Sequence, residues 1–210
     1  MSLATAPVPA GLTTARRLEG VTVAWNTVEA AVALVSGLLA GSVALTGFGL
    51  DSGIEVASAL LVLNRVRAAA SGKEPDEAKE KRALRAVAAL FFVLAAYLIA
   101  DGIHSLVVGD RPNTSVSGIV VTAAALVVMP LLSAAKARVG GRIGGSIGAL
   151  VLADAAETKL CALLSVATLA GVVAYSAAGW WWADPVAGFV IVYFAIREGR
   201  EAWEGDLGCD

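Results

Sequence analysis

Six stretches of nearly unbroken apolar residues alternate with short polar or charged breaks along the 210-residue chain. A helix that crosses a bilayer needs about 20 mostly apolar residues. The pattern predicts six of them, at 21–40, 43–63, 86–108, 116–135, 146–175 and 185–196. Gly41-Ser42 leaves room only for a tight turn, whereas Asn64-Arg65-Val66-Arg67 ends the second span and a charged loop from Ser71 to Glu77 follows. Gly109 to Asn113 turns the chain into the fourth span, and a Gly-rich basic segment, Lys136 to Gly145, leads to the fifth. Gly179-Trp180-Trp181-Trp182 turns into the sixth, its tryptophans suited to an aromatic belt at the membrane interface. Residues 1–20 make a short N-terminal segment without the apolar core of a secretory signal, and 197–210 a short tail. The predicted fold class is an all-α six-helix transmembrane bundle.

Composition agrees. The chain is 58% hydrophobic and 16% charged, with a mean hydropathy of +0.75; soluble domains carry about 45–50% and about 25%. Disorder, collagen-like repeats and a water-soluble globule are excluded. A net charge of −2 gives no reason to expect nucleic acid, and Cys161 and Cys209 are too few for a disulfide framework. Fourteen of the sixteen Lys and Arg fall on one side of the predicted topology, Arg111 lies on the other, and Lys159 is inside a span. The positive-inside rule then puts both termini in the cytoplasm. Abundant Ala, Gly and Val point to a bacterial multi-pass protein of the inner membrane. Gly37/Gly41 and Gly144/Gly148 form Gly-x-x-x-Gly spacings that allow close helix approach.

Several acids lie where charge is costly. A carboxylate near the bilayer centre costs at least about 2.5 kcal/mol on insertion scales, so it is a functional candidate. Counting about 1.5 Å per residue from the nearest boundary brings Glu29, Asp51, Glu55, Glu157 and Cys161 to one midplane layer. Asp51/Glu55 and Glu157/Cys161 are each four apart, so each pair projects from one helix face. Two such faces supply the four ligands of a tetrahedral divalent cation, and three carboxylates with one thiolate suit Zn²⁺, Mn²⁺ or Fe²⁺ better than Mg²⁺. The competing reading is structural, with the acids paired to a cation such as Lys159.

The segment Gly47 to Ser58, preceded by Gly41-Ser42-Val43-Ala44-Leu45, resembles the second membrane helix of the cation diffusion facilitator family, with its D-S-x-x-D core. Ala153-Asp154-Ala155-Ala156-Glu157-Thr158-Lys159-Leu160-Cys161 resembles the fifth helix, A-D-x-x-H-x-x-x-D, and Gly179 to Pro185 resembles the turn into the sixth. The resemblance implies a transport site at Asp51, Glu55, Glu157 and Cys161, with Glu157 in place of the usual His and Cys161 in place of the usual Asp. It implies the transmembrane domain alone, a short form without the family's cytoplasmic ferredoxin-like domain, and a homodimer. No prosthetic cofactor is implied.

The resulting expectation is a secondary transporter, not an enzyme. It exports Zn²⁺ first, or Mn²⁺, Fe²⁺, Co²⁺ or Cd²⁺, in exchange for H⁺ by alternating access. The alternative is a non-transporting metal-sensing or assembly subunit of the same fold. Metal ligands must be deprotonated, so metal binding and proton release are linked. Asp154 is placed at the cytoplasmic mouth of the site. Asn26 and Glu29 either support the site and pass protons, or Glu29 pairs structurally with Lys159. Asp101 and His104, the single histidine, form either an exit-side stop or an interfacial polar cap. Asp184-Pro185 is expected to cap and start the sixth helix.

Overall fold

The computed structural model describes residues 10–72 and 77–204, and the loop predicted around 73–76 lies outside them. Six helices follow one another: α1 Ala10–Ala40, α2 Val43–Ala70, α3 Glu77–Val108, α4 Val116–Ile143, α5 Gly145–Ala178 and α6 Ala183–Glu204. Among the described residues there is no strand. The first five are long and apolar enough to cross a membrane. The apolar part of α6 gives way to Arg197, Glu198, Arg200, Glu201 and Glu204.

The helices run past the predicted spans at the ends rich in charge. α1 starts eleven residues before the expected Val21, α3 begins nine before Ala86, and α4 continues eight beyond Ala135. Hydropathy marks the part of a helix that lies in lipid; Arg, Lys, Glu and Ala are good helix formers outside it. The Gly-rich basic segment is therefore mostly helix, and α4 meets α5 through Gly144 and Gly145, whose φ of +64° and +58° reverse the chain without a loop.

α1 with α2, α4 with α5, and α3 with α6 form the three principal pairs. The first two pairs join through α1–α4 and α2–α5 into a four-helix body, and the α3–α6 pair leans on it through α2 and α5. Glycines set the closeness. A Cβ on Gly37 would lie 2.5 Å from the Thr46 amide, and one on Gly49 would lie 2.5 Å from that of Leu34. One on Gly148 would lie 2.6 Å from the Gly140 carbonyl oxygen. Only one residue of each Gly-x-x-x-Gly spacing thus serves packing: Gly41, at φ +66°, and Gly144 are turn residues.

Polarity is turned inside out. Val21, Val28 and Val35 on α1, Val93 and Val107 on α3, and Val127 and Leu131 on α4 face outward, as a lipid-facing surface requires. On α1 the opposite stripe, Ala15, Glu19, Thr22, Asn26, Glu29 and Ala33, is fully buried at spacings of three and four. Phe48, Leu45, Leu98, Met129 and Ile191 fill the main apolar core.

Asp184 corrects the expectation of a cap on its own helix. It is buried in the first turn of α6 and caps α2 instead. Its Oδ1 accepts a hydrogen bond from Ser42 Oγ at 2.5 Å, and its Oδ2 accepts one from the Val43 amide at 2.7 Å. A carboxylate suits this place because the first amides of a helix have no partner within it and carry a positive end-charge.

Candidate metal centre

α2 packs against α5. Asp51 and Glu55 from α2, with Glu157 and Cys161 from α5, line one narrow cleft, a cavity of about 10 Å³ with room for a single water molecule. Phe91, Leu160, Leu164 and Phe194 wall it, and Glu198 from α6 joins the acids. Asp51, Glu55 and Cys161 are buried in the bundle, Glu55 to 3% exposure. Ser58 Oγ donates to Glu157 Oε2 at 2.7 Å. Both Glu55 oxygens are buried with no hydrogen-bond partner. Among the described residues no three Asp, Glu, His or Cys side chains converge closely enough to hold a metal ion. The four candidates therefore share a cleft without forming a closed coordination shell.

Glu29 stands against this cleft from α1. Its Oε1 accepts from Ser52 Oγ at 2.7 Å, its Oε2 accepts from Trp25 Nε1 at 2.5 Å, and the Cys161 thiol lies 3.9 Å from Oε1. Asn26 is fully buried on the same stripe, with neither side-chain polar atom hydrogen bonded.

The pairing of Glu29 with Lys159 is not what the structure contains. Lys159 is exposed on α5, because residues two apart from Glu157 point to another face. The buried cation is Lys136 of α4, fully enclosed although the sequence places it in a basic cytoplasmic segment. Its Nζ is paired with Asp154 Oδ2, lies 3.3 Å from Glu19 Oε2 and donates to Thr158 Oγ1 at 3.1 Å. Asp154 thus ends in an ion pair rather than at an open mouth. Glu19, Lys136 and Glu198 are the residues that sequence reasoning missed. For the first two the signals were present: Glu19 lies on the polar stripe of α1. Lys136 and Asp154 are nearly equidistant from the turn at Gly144, so an antiparallel pair brings them together.

Asp101 and His104 are elsewhere, near the end of α3. Tyr97 donates to Asp101 Oδ2 at 3.3 Å, and His104 Nδ1 lies 3.5 Å from Asp110 in an exposed pair. They do not join the cleft.

No curated protein matches the chain. A family model described as the cation efflux transmembrane domain matches residues 83–205. That region takes in most of α3 and the whole of α4, α5 and α6, hence Glu157, Cys161 and Glu198, and leaves α1 and α2 outside. The domain belongs to membrane transporters of divalent cations, not to enzymes. The match covers more than half of the chain, and the all-helical, inside-out bundle is the fold it requires: the chain belongs to the cation efflux family, the same family that its α2 and α5 motifs resemble.

Proposed function

We propose that the protein exports a divalent transition-metal cation from the cytoplasm in exchange for protons, Zn²⁺ before Mn²⁺, Fe²⁺, Co²⁺ or Cd²⁺, by alternating access. Asp51, Glu55, Glu157 and Cys161 are the cargo ligands. One observation carries the reading: both oxygens of the buried Glu55 lack a hydrogen-bond partner, in a cleft shared with the other three. A buried charge without a partner is too costly to keep. A cleft lined by several acids therefore holds either protons or a cation. Exchanging one for the other is antiport, since the ligands must release protons to take the metal.

The thiol beside three carboxylates favours borderline ions over Mg²⁺. By the distribution of Lys and Arg, both termini face the cytoplasm. The working unit is a homodimer in a bacterial inner membrane, as the family resemblance and the composition imply.

Transport in proteoliposomes tests this, with the five ions offered to wild type, Asp51→Ala and Cys161→Ser under an imposed proton gradient. Wild type should move at least one ion with opposite proton flux, and Asp51→Ala should abolish it. Flux indifferent to the gradient removes the antiport. Absence of flux for every ion leaves the non-transporting, metal-sensing reading.

A further inference from the structure

Contacts near one end of the bundle fix the relative heights of α2, α5 and α6. Asp184 of α6 bonds Ser42 at the start of α2. Gly171 of α5 packs against the same turn, where a Cβ would lie 2.8 Å from Ala187 Cβ and 3.4 Å from Asp184 Cα. From this common level Glu198 is fourteen residues along α6, Glu55 thirteen along α2, and Glu157 fourteen back along α5. At about 1.5 Å per residue, all three lie roughly 20 Å below it.

Glu198 accordingly lines the same cleft as Asp51, Glu55, Glu157 and Cys161. Its Oε1 is buried without a hydrogen-bond partner. Beside it on α6, Arg197 Nε donates to Glu201 Oε1 at 2.7 Å, and Arg197, Arg200, Glu201 and Glu204 line a separate outer groove. An independent pointer to a ligand in the cleft is Glu55, 3% exposed, with neither oxygen bonded. Apolar walls at Phe91, Phe194, Leu160 and Leu164 weaken screening and strengthen the attraction of each carboxylate for a cation.

Resting on the cation-export reading above, we propose that Glu198 is a fifth cargo-binding residue, supplied to the cleft by α6. It is the acid through which the α3–α6 pair touches a cation otherwise held by α2 and α5 of the four-helix body. As an oxygen donor, it favours Mn²⁺ and Zn²⁺ over Cd²⁺.

The test measures initial flux against ion concentration for wild type, Glu198→Gln, Glu198→Asp and Asp51→Ala in proteoliposomes. Glu198→Gln should raise the KM for Zn²⁺ about ten-fold while leaving maximal flux within about two-fold, since one charge facing a divalent ion is lost. The loss should be larger for Mn²⁺ than for Cd²⁺. Glu198→Asp, which keeps the charge, should return KM to within about three-fold of wild type. Wild-type KM in Glu198→Gln, beside an inactive Asp51→Ala, overturns the role of Glu198 and leaves the export reading standing. Equal KM defects in the Gln and Asp variants overturn it too, because shape rather than charge would then matter. Full activity in Asp51→Ala brings down both.

A second measurement needs no variant. Zn²⁺ should suppress modification of Glu198 by a hydrophobic carbodiimide in the wild-type protein, read by peptide mass spectrometry. Labelling unchanged by Zn²⁺ overturns the proposal even if Glu198→Gln fails to fold.

Discussion

Replacing Lys136 with methionine keeps the length and apolar stem of the side chain and removes its charge. In the folded protein the ammonium lies between Asp154 and Glu19, the latter at 3.3 Å, and donates to Thr158 at 3.1 Å. The side chains of Lys136 and Glu19 are fully buried, and that of Asp154 is 1% exposed. Bulk solvent does not reach them, so Lys136→Met strands two carboxylates in the interior. Removing one partner of a buried ion pair costs about 3–5 kcal/mol. That lowers the ratio of folded to unfolded protein roughly 150- to 5,000-fold. Denaturant unfolding of the purified protein in detergent, followed by circular dichroism, reads the loss. Replacing the whole network, as Glu19→Gln/Lys136→Met/Asp154→Asn, should recover at least half of it, because the stranded charges go with the lysine. Lys159→Met is the control and should stay within about 0.5 kcal/mol, since that side chain is exposed. Wild-type stability of Lys136→Met, or a larger loss for Lys159→Met, would refute the assignment of Lys136 as the structural cation.

Asp184→Ala should destabilise by about 2–3 kcal/mol in the same assay, because α2 loses the acceptor of its Ser42 hydroxyl and Val43 amide; an effect under about 0.5 kcal/mol would show that the cap is dispensable. Gly148→Ala should cost about 1–3 kcal/mol by forcing α4 and α5 apart at the Gly140 carbonyl. Gly141→Ala, on the same helix pair but with nothing within 4 Å of the added carbon, should instead be neutral or stabilising by up to about 1 kcal/mol. Equal losses at the two glycines would contradict the close helix contact.

The positions of the helices were legible because lipid selects for apolar length, and a run of about 20 such residues is long enough to cross the hydrocarbon core. Their ends were not, because a helix continues into water on Arg, Lys and Glu without a hydropathy signal, as α1 does through Arg16, Arg17 and Glu19. Spacing of four brought Asp51 with Glu55 and Glu157 with Cys161 into one cleft, since it fixes a face within a helix. It says nothing of which face meets which neighbour. Lys136 and Lys159 were consequently exchanged: hydropathy averages over all faces and saw Lys136 as part of a basic loop. Glu198 was hidden for the same reason. Among the charges that end α6 it is separated from Arg197 and Glu201 only by its angle around the helix, and its height is set by contacts at the other end. Asp184 looked like a local cap because Asp before Pro usually is one; only the tertiary approach of α2 redirects it.

The proposed division between structural and cargo-binding acids rests on what each carboxylate is bonded to. Asp184 has the amide end of α2, Glu29 has a hydroxyl and an indole N–H, and Asp154 and Glu19 share one ammonium. Each of these acids is tied to a donor or a cation from the protein itself, although both Glu19 oxygens and Asp154 Oδ1 lack a hydrogen bond, and each would hold its helices together with no ion present. Neither Glu55 oxygen has a hydrogen-bond partner, its nearest cationic influence being the Lys136 already held by Glu19 and Asp154, and Glu198 leaves one buried oxygen without a partner. The one fully buried lysine among the described residues is already held between Glu19 and Asp154. On the proposed reading, the cleft in which Glu55 has no hydrogen bond and Glu157 has only the Ser58 hydroxyl is where a cation from outside would be held. On the export reading proposed above, an arriving divalent ion would offset the cost of leaving the Glu55 oxygens without a hydrogen bond, which would make Glu55 an acid of transport rather than of bundle stability.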